Sequence, residues 1–291
     1  MHPLTPLYRC LGNRTYERGD NLWIKVGRFT LIKPPCGKIF DVNREELDDL
    51  LQETGALAGS FATSLPTGVD SIAYTIQDPN YGIHSVKRQF RQHLKRYENR
   101  CEVRQIDWKQ LRDEGLSINR DTARQRQDVA ASYADPHRWA EFCEVVSQDE
   151  NLVTIGCLVN GKLAAFIVAW IDGNRCDGLM MHHHSELSDF RPSHKVIHGL
   201  GRIMIARPDI SRVCSGRDMI PRQASIAQFK RGAGFESTPI RVAVVIHPSW
   251  RRLLTNPWSR RGFRHLRHTM GSRFNALENS QVFDVAAVTQ I

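Results

Sequence analysis

Three consecutive histidines, His182 to His184, are the residues of this sequence best suited to proton transfer near neutral pH. An imidazole can take a proton from an attacking nucleophile because its pKa is about 6.5. The preceding residues alternate like a β-strand, which would place the side chains of His182 and His184 on one face and that of His183 on the other. We therefore expect His182 or His184, and not His183, to serve as a general base. No third ligand has a spacing that would complete a metal site, so we predict none.

A second polar group, Ser215-Gly-Arg-Asp218, follows a predicted strand over residues 210–214. Open α/β sheets bind ligands at the carboxyl ends of their strands, and loops at such positions often carry function. We therefore predict that Ser215 and Arg217 bind substrate and that Asp218 takes part in catalysis by orienting it. The neighbouring Cys214 is a conceivable nucleophile, but no group that would orient a Cys-His pair is evident. We assign Cys214 to the core.

The elements that must position these residues follow from the sequence pattern, which predicts a mixed α/β (α+β) fold. In the first 83 residues the pattern predicts a hairpin of two strands (22–26 and 29–32) and a helix capped by Asn43. A loop rich in Gly, Ser and Thr (54–70) and one more strand (71–76) follow. These elements are too few to form an independent core. We therefore expect residues 1–83 to be a partial domain that packs on the rest of the chain.

From residue 84 onward, strands and helices follow one another in a mixed order. A basic helix begins at Ser85. It is followed by a strand (101–107), a helical stretch (108–151), three strands joined by tight turns (152–159, 162–171 and 175–184), a helix (191–207), a strand (210–214), a helix from residue 222 and a final strand (239–247). The Asn160-Gly161 dipeptide between two apolar runs is the strongest hairpin signal among them. This order predicts a sheet covered by helices.

The segment Phe229-Lys-Arg-x-x-Gly-Phe235, which comes after a strand and a polar loop, resembles the last strand-helix-strand unit of the GNAT superfamily in its FemAB-like branch. The order of elements from Glu102 agrees, and the basic helix at 87–96 resembles the helix that joins the two halves of FemAB-like proteins. The resemblance implies a GNAT-like fold with a mixed sheet. It implies three parts: a partial N-terminal GNAT-like half-domain (1–83), a GNAT-like acyltransferase domain (84–247) and a basic, aromatic-containing C-terminal tail (248–291).

Proteins of this branch are acyl and aminoacyl transferases. The resemblance therefore implies an enzyme that moves an acyl group from acyl-CoA, or from a carrier-bound donor, to an amine acceptor, with acyl-CoA as co-substrate and no bound cofactor. The mechanism it implies is direct attack by the amine, without a covalent enzyme intermediate. Two alternatives remain open: an aminoacyl-tRNA donor, and a non-catalytic GNAT-shaped module that binds nucleic acid or an anionic membrane.

The resemblance also indicates where the donor and the acceptor bind. It implies that the helix carrying Phe229, Lys230 and Arg231 faces the cleft. Many acetyltransferases of the superfamily bind the pyrophosphate of coenzyme A with a glycine-rich loop before another helix, and this sequence lacks those glycines. A helix N-terminus can still hold an anion through its free N–H groups. We therefore expect the corresponding helix start to bind the donor through Arg191, Ser193, His194 and Lys195.

Charge and composition limit the partners and the compartment. The formal net charge is +9, and residues 248–277 contain seven arginines and no acidic residue, interleaved with aromatic side chains. This tail and the basic helix suit tRNA or an anionic membrane surface. The seven cysteines are scattered and odd in number, which predicts free thiols and a cytoplasmic location. No apolar run of about 18 residues, the length that spans a membrane, is present, and the oligomeric state is not specified by the sequence.

Removal of every residue after His247 is expected to leave a folded protein with weaker affinity for polyanions. The last predicted strand ends there, and the deletion removes the seven arginines of the tail. The measurement is the binding of tRNA by the full and the truncated chain at two salt concentrations, with circular dichroism as the test of folding. Aggregation or unfolding of the truncated chain would show instead that the tail belongs to the core.

Overall fold

The computed structural model describes residues 1–27, 29–66, 68–125, 131–218 and 223–256. These residues form an 11-stranded sheet of Arg14–Arg18 (β1), Asn21–Val26 (β2), Thr30–Ile32 (β3), Ala58–Thr63 (β4), Val69–Ile76 (β5), Cys101–Gln105 (β6), Leu152–Val159 (β7), Lys162–Asp172 (β8), Arg175–His183 (β9), Arg212–Arg217 (β10) and Glu236–Ile246 (β11). The helices are Thr5–Cys10 (α1), Arg44–Thr54 (α2), Arg88–Lys95 (α3), Trp108–Gln125 (α4), Pro136–Ser147 (α5), Pro192–Ile205 (α6), Ala224–Gly232 (α7) and Pro248–Thr255 (α8). Short 3₁₀ helices occur at Glu98–Arg100, Ala131–Ala134 and Ser185–Phe190.

The strand order of the sheet is β1-β2-β3-β4-β11-β5-β10-β9-β8-β7-β6. β11 therefore lies between β4 and β5, pairing with β4 through residues 241–246 and with β5 through residues 236–242. Neighbouring strands are antiparallel except for the pairs β3/β4 and β9/β10. The predicted division at residue 83 separates strands that pair within one sheet, and the division into half-domains remains a prediction.

Helices cover both faces of the sheet, and two large apolar cores lie on opposite faces, with a smaller core beneath α2. One core packs α3, α6 and α7 on the sheet through side chains such as Phe90 and Leu200. The other packs α1, α4 and α5 on the opposite face through side chains such as Trp139. The consecutive residues Phe166 and Ile167 of β8 contribute to opposite cores, as the geometry of a strand requires. Because β8 is buried on both sides, its sequence is almost continuously apolar.

Residues 54–70 were predicted to be a loop, and that prediction is wrong because they contain β4. The sequence of this strand is Ala-Gly-Ser-Phe-Ala-Thr, and all six residues are buried. α2 packs so closely on β4 that a Cβ atom on Gly59 would lie 3.0 Å from Cδ1 of Leu47. The small side chains, which are also typical of a loop, are therefore required for the close approach of a helix to this strand.

Two local predictions are confirmed. Asn160 and Gly161 join β7 to β8 with φ angles of 50° and 82°, as the tight turn between antiparallel strands requires. The side chain of Asn43 accepts hydrogen bonds of 2.9 and 3.4 Å from two backbone N–H groups in the first turn of α2. In both places the residue type alone determines the backbone geometry, so the sequence is sufficient to predict it.

Two other local predictions are wrong. Ser85 does not cap α3, because its hydroxyl accepts a hydrogen bond from the N–H of Gly82 and Lys87 occupies the N-cap position. Residues 215–217 were predicted to form a loop, but they belong to β10. A β-bulge accommodates Gly216, whose φ is 81°, so the strand continues through a residue that normally marks a turn.

The predicted tail begins with a helix. In α8, Nη2 of Arg251 lies 3.3 Å from Oδ2 of Asp48, which ties the helix to α2. The side chain of Trp250 is 44% exposed. The rest of the predicted tail, residues 257–291, lies outside the described residues. Among the helices of the described ranges, none is long and apolar enough to cross a membrane.

Replacement of Asn43 by Ala is expected to lower the free energy of unfolding by about 1 kcal/mol, because the first turn of α2 loses its side-chain acceptor. Asn43→Asp is the matched control, since a carboxylate also accepts these N–H groups and is favoured at the positive end of the helix dipole. Chemical denaturation of the three proteins gives the values. An equal loss of stability in both variants would show that Asn43 contributes something other than the cap.

Candidate active site

The parallel strands β9 and β10 pair over a short length and then diverge. Their last paired residues are Asp177 and Cys214. Asp177 is buried and accepts hydrogen bonds of 2.6 and 2.7 Å from the guanidinium of Arg175, which fixes the end of the pairing. Beyond this point β9 has a bulge at Leu179 against β8, and β10 has a bulge at Gly216 against β5. Bulges bend a strand and increase its twist, so the two strands separate.

A cleft of about 400 Å³ lies between the diverging strands, with α6 and α7 as its other walls. Two of its lining residues, Leu179 and Met180, pack on the core beneath α4 and α5, whereas Ile197 and Leu200 belong to the core beneath α6. The cleft therefore spans the thickness of the sheet. Its lining is mostly apolar: Ile167, Gly178, Leu179, Met180, Met181, Ile197, Leu200, Ile226 and Phe229, with Ser215, Ser225 and Lys230 as its polar members.

Lys230 brings a positive charge into this apolar cleft. Its Nζ lies 4.9 Å from the centroid of the Tyr74 ring. Burial lowers the pKa of Lys230, while the nearby Cys214 and Asp218 act in the opposite direction. The hydroxyl of Tyr74 donates a hydrogen bond of 2.7 Å to Oδ1 of Asp218, which is buried. Lys230, Tyr74 and Asp218 are thus a connected polar group at the end of the cleft near β10.

Ser215 also lines the cleft, and its Oγ is buried without a hydrogen-bond partner in the described part of the chain. An unsatisfied buried hydroxyl costs about 1–3 kcal/mol, which a ligand that bonds to it would recover. The other predicted binding residues of this region differ in position. Phe229 is a wall of the cleft, Arg217 donates to Oγ of Ser60 at 3.3 Å, and Arg231 is exposed on α7.

The start of α6 combines cations with histidines. Arg191 is the N-cap residue, has a left-handed φ of 55°, and its Nε is buried without a hydrogen-bond partner in the described residues. The ring of His194 lies 4.7 Å from those of His93 and Phe90, measured between centroids. Burial is the largest of the effects that lower the pKa of His194 to about 4, and neighbouring histidines and the cations Arg191 and Lys195 act in the same direction. His194 is therefore neutral at pH 7.

The structure brings some of the residues predicted at the start of α6 together and turns one away. His194 contacts Phe229 at 5.0 Å between ring centroids, so it lies next to a wall of the cleft. Ser193 is half-buried beside it. Lys195, by contrast, is buried and donates from Nζ to the carbonyl oxygen of Leu94. This contact connects α6 to α3, and the donor-binding roles assigned to these residues remain predictions.

His182 and His184 lie on the face of the sheet that α4 covers. Nδ1 of His182 is 2.7 Å from Oδ1 of Asn119, and Nδ1 of His184 is 3.8 Å from Oδ2 of Asp121, both on α4. His183 instead pairs with Ala165, which belongs to the core beneath α6, so its side chain faces the other way. The predicted alternation along β9 is confirmed. Neither His182 nor His184 is among the residues that line the cleft, and their role as general base remains a prediction.

The thermal unfolding midpoint is expected to fall as the pH is lowered from 6.5 toward 4, and His194→Phe is expected to reduce that fall. The pKa of His194 is about 4 in the folded protein and 6.5 for an ordinary histidine, so in this interval the unfolded chain binds a proton that the folded chain does not. Stability therefore decreases as the pH falls through this interval. The control is His137→Phe at an exposed site of α5. An unchanged fall in His194→Phe would show that His194 titrates normally.

Comparison with solved structures finds a similar fold at low sequence identity. The C-terminal domain (DUF2156) of a putative lysylphosphatidylglycerol synthetase from Agrobacterium fabrum has a TM-score of 0.53 and 12% identity, over 83% of this chain and 87% of that chain. FemX has a TM-score of 0.53 and 9% identity, over 86% of this chain and 93% of that chain. L-PGS from Bacillus licheniformis has a TM-score of 0.50 and 9% identity, over 97% of this chain and 91% of that chain.

No protein-family model and no curated protein sequence matches the chain. At identities of 9 and 12% the structural likeness establishes the fold alone. The predicted mixed sheet and the predicted order of elements are confirmed by that likeness and by the strand order. The chain therefore has a GNAT-like fold of the kind found in FemX and in lysylphosphatidylglycerol synthetase domains.

Proposed function

We propose that this protein is a GNAT-type transferase that moves an acyl group from acyl-CoA, or from a carrier-bound donor, to an amine acceptor. The observation that carries the proposal is the cleft between β9 and β10, a largely apolar space of about 400 Å³ with Ser215 and Lys230 among its few polar groups. Such a space accepts an elongated apolar chain, and the polar groups hold one carbonyl group at a defined depth. The GNAT-like fold supports a transferase without selecting the donor.

The proposed chemistry is direct attack by the amine on the carbonyl carbon of the donor. The N–C bond forms, the carbonyl oxygen gains negative charge in a tetrahedral intermediate, and the C–S bond breaks as the thiolate of coenzyme A leaves. The ammonium of Lys230 and the hydroxyl of Ser215 line the space where that charge develops, and preorganised groups of this kind supply a large part of catalysis in acyl transfer. Asp218 and Tyr74 hold Lys230 in place through the contacts described above.

The attacking amine must lose a proton, because an ordinary amine is mostly protonated at pH 7. His182 follows two residues after Met180, a cleft-lining residue, and faces α4. It would therefore meet an amine that enters from the α4 face. We keep His182 and the adjacent His184 as the proposed bases, with the proton passing from the amine nitrogen to the imidazole. The reaction needs no resident cofactor, and acyl-CoA is a co-substrate.

The phosphate groups of the donor are proposed to lie at the start of α6. Arg191 and the N–H group of Ser193 favour an anion there, whereas Pro192 has no N–H and those of His194 and Lys195 donate to the carbonyl oxygen of Arg191. The buried Nε of Arg191 has no partner in the described part of the chain, and a phosphate oxygen would provide one. An anion would also favour the protonated form of His194, which burial and the nearby His93 and Arg191 disfavour.

An aminoacyl-tRNA donor is the second candidate. Two observations favour it. The fold is shared with FemX and with a lysylphosphatidylglycerol synthetase domain, and the FemAB-like branch that the sequence resembles includes aminoacyl transferases. In addition, α3, which packs on α6, carries an exposed basic face. Phosphate contacts by such a face give affinity that falls steeply with salt. The exposed cations of α3 and its immediate flanks are Lys87, Arg88, Lys95, Arg96 and Arg100.

A panel of donors separates these functions from a non-catalytic binding module. Thermal unfolding is followed with coenzyme A, acetyl-CoA and longer acyl-CoA, and with charged and uncharged tRNA at two salt concentrations; a ligand that binds the folded state raises the midpoint. Stabilisation by acyl-CoA and its consumption with an amine present support the first candidate. Salt-sensitive binding of tRNA and consumption of its aminoacyl ester support the second. Binding without turnover of any donor would leave a module without catalysis. A cytoplasmic location remains our proposal.

Lys230→Met is expected to reduce turnover with the active donor by on the order of a hundredfold, because a group that stabilises the developing charge is lost. The unfolding midpoint is expected to stay the same or rise, since the variant removes a half-buried charge and keeps the volume of the side chain. Lys162→Met, at the exposed start of β8, is the matched control. Turnover of Lys230→Met equal to that of the control would contradict the assigned role.

A further inference from the structure

Arg217 lies two residues after Ser215, a cleft-lining residue of β10, and its guanidinium reaches a residue of β4. Its Nη2 donates to Oγ of Ser60 at 3.3 Å, which is a long hydrogen bond, and its Nη1 is buried with no hydrogen-bond partner among the described residues. The adjacent carboxylate, Asp218, is occupied by the hydroxyl of Tyr74. Within the described ranges no carboxylate forms an ion pair with Arg217. A half-buried guanidinium in this state is costly, because its lost hydration is not replaced.

The bulge in β10 turns Arg217 away from the donor side of the cleft. In a regular strand Ser215 and Arg217 would share a face. Here Cys214 pairs with Thr75 and Arg217 pairs with Ala73, so three steps along β10 match two steps along β5. Arg217 therefore shares the face of Cys214, while Ser215 lines the cleft beneath α6 and α7. Bulges commonly aim side chains in this way beside functional sites.

The face that Arg217 shares is the one opposite α6. Ala73, its cross-strand partner, packs with Ala62 and Ile240, whereas Tyr74 belongs to the core beneath α6. Ser71, two residues before Ala73 on β5 and so on the same face, has a buried Oγ that also lacks a hydrogen-bond partner in the described residues. Arg217 and Ser60 thus place a guanidinium and a hydroxyl in contact, and Ser71 adds a hydroxyl on the same face. The guanidinium and the Ser60 hydroxyl are donors suited to an oxyanion.

We infer that Arg217 is the receptor for an oxyanion carried by the amine acceptor, a carboxylate or a phosphate, which enters from the face opposite α6 while the donor occupies the α6 side. This inference rests on the proposed function. The cleft spans the sheet, as its lining by Leu179 and Met180 from the α4 side shows, so the two substrates meet between the diverging strands. An arginine binds a planar carboxylate through two parallel hydrogen bonds and also suits a phosphate.

The test compares small amines that differ in the oxyanion. The probes are glycine and 4-aminobutyrate with their amides, and O-phosphoethanolamine with ethanolamine, titrated into the full chain by isothermal calorimetry. At least one oxyanion-bearing amine is expected to bind at least tenfold more tightly than its neutral counterpart. The preferred pair identifies the oxyanion as carboxylate or phosphate. Equal affinity for the charged and neutral members of every pair, or no binding of any probe, overturns the inference.

Variants assign the binding to this residue. Arg217→Gln is expected to lower the affinity of the preferred probe at least tenfold, and Arg217→Lys is expected to lower it less, because charge is kept and the two-pronged geometry is lost. Arg212→Gln, at an exposed site of the same strand, is the matched control and keeps the wild-type affinity. Circular dichroism and the unfolding midpoint confirm that each variant is folded. Unchanged affinity in folded Arg217→Gln overturns the inference.

A separate titration with coenzyme A and with tRNA distinguishes failure of the inference from failure of the proposed function. Binding of a donor together with turnover that does not respond to Arg217→Gln would overturn the inference and leave the transferase proposal standing. Binding of an oxyanion-bearing amine that depends on Arg217, without turnover of any donor, would support the binding site while contradicting the proposed function.

Discussion

The short pairing between β9 and β10 is the constraint on which the candidate site depends. Arg175 holds Asp177 at the last paired position, and the bulges at Leu179 and Gly216 then direct the two strands apart. Had the pairing continued, the ladder would fill the gap between the strands, and the cleft would not exist. The residues of β9 beyond Asp177 instead face an open space, where their backbone groups are available to a ligand. A local interruption of the sheet therefore creates the binding space.

Electrostatics and burial act against each other throughout the site. Burial disfavours the charged forms of Lys230 and His194 and so lowers the pKa of each. The cations near them, including Arg191, are close to one another, and the buried Nε of Arg191 has no partner in the described residues. An anion at the proposed donor site would favour the charged forms of these side chains.

The sequence predicts those features that depend on neighbouring residues. Asn160-Gly161 determines its own turn, Asn43 determines the start of α2, and the alternation along β9 places His182 and His183 on opposite faces. Prediction from the sequence fails where contacts between distant parts of the chain determine the structure. Small residues in β4 are needed because a helix packs on them, and periodicity cannot separate that requirement from the composition of a loop.

The candidate site shows the same limit. The residue types suited to chemistry near β10 are evident from the sequence, and Ser215, Phe229 and Lys230 do line one cleft. Their orientation is not predictable, because one extra residue in β10 reverses the face on which Arg217 lies. Lys195 illustrates a second reason: its partner is a carbonyl group on α3, far from it in sequence. Contacts of this kind depend on the tertiary fold.

The position of β11 between β4 and β5 has a consequence for the order in which the chain folds during synthesis. β4 and β5 leave the ribosome close together in time, and each exposes an unpaired edge until β11 has been made. Such edges are prone to pair with each other or with other chains. Pairing between strands so far apart in sequence is also slow. The N-terminal strands therefore reach their final arrangement only when a strand from the C-terminal half has been inserted between them.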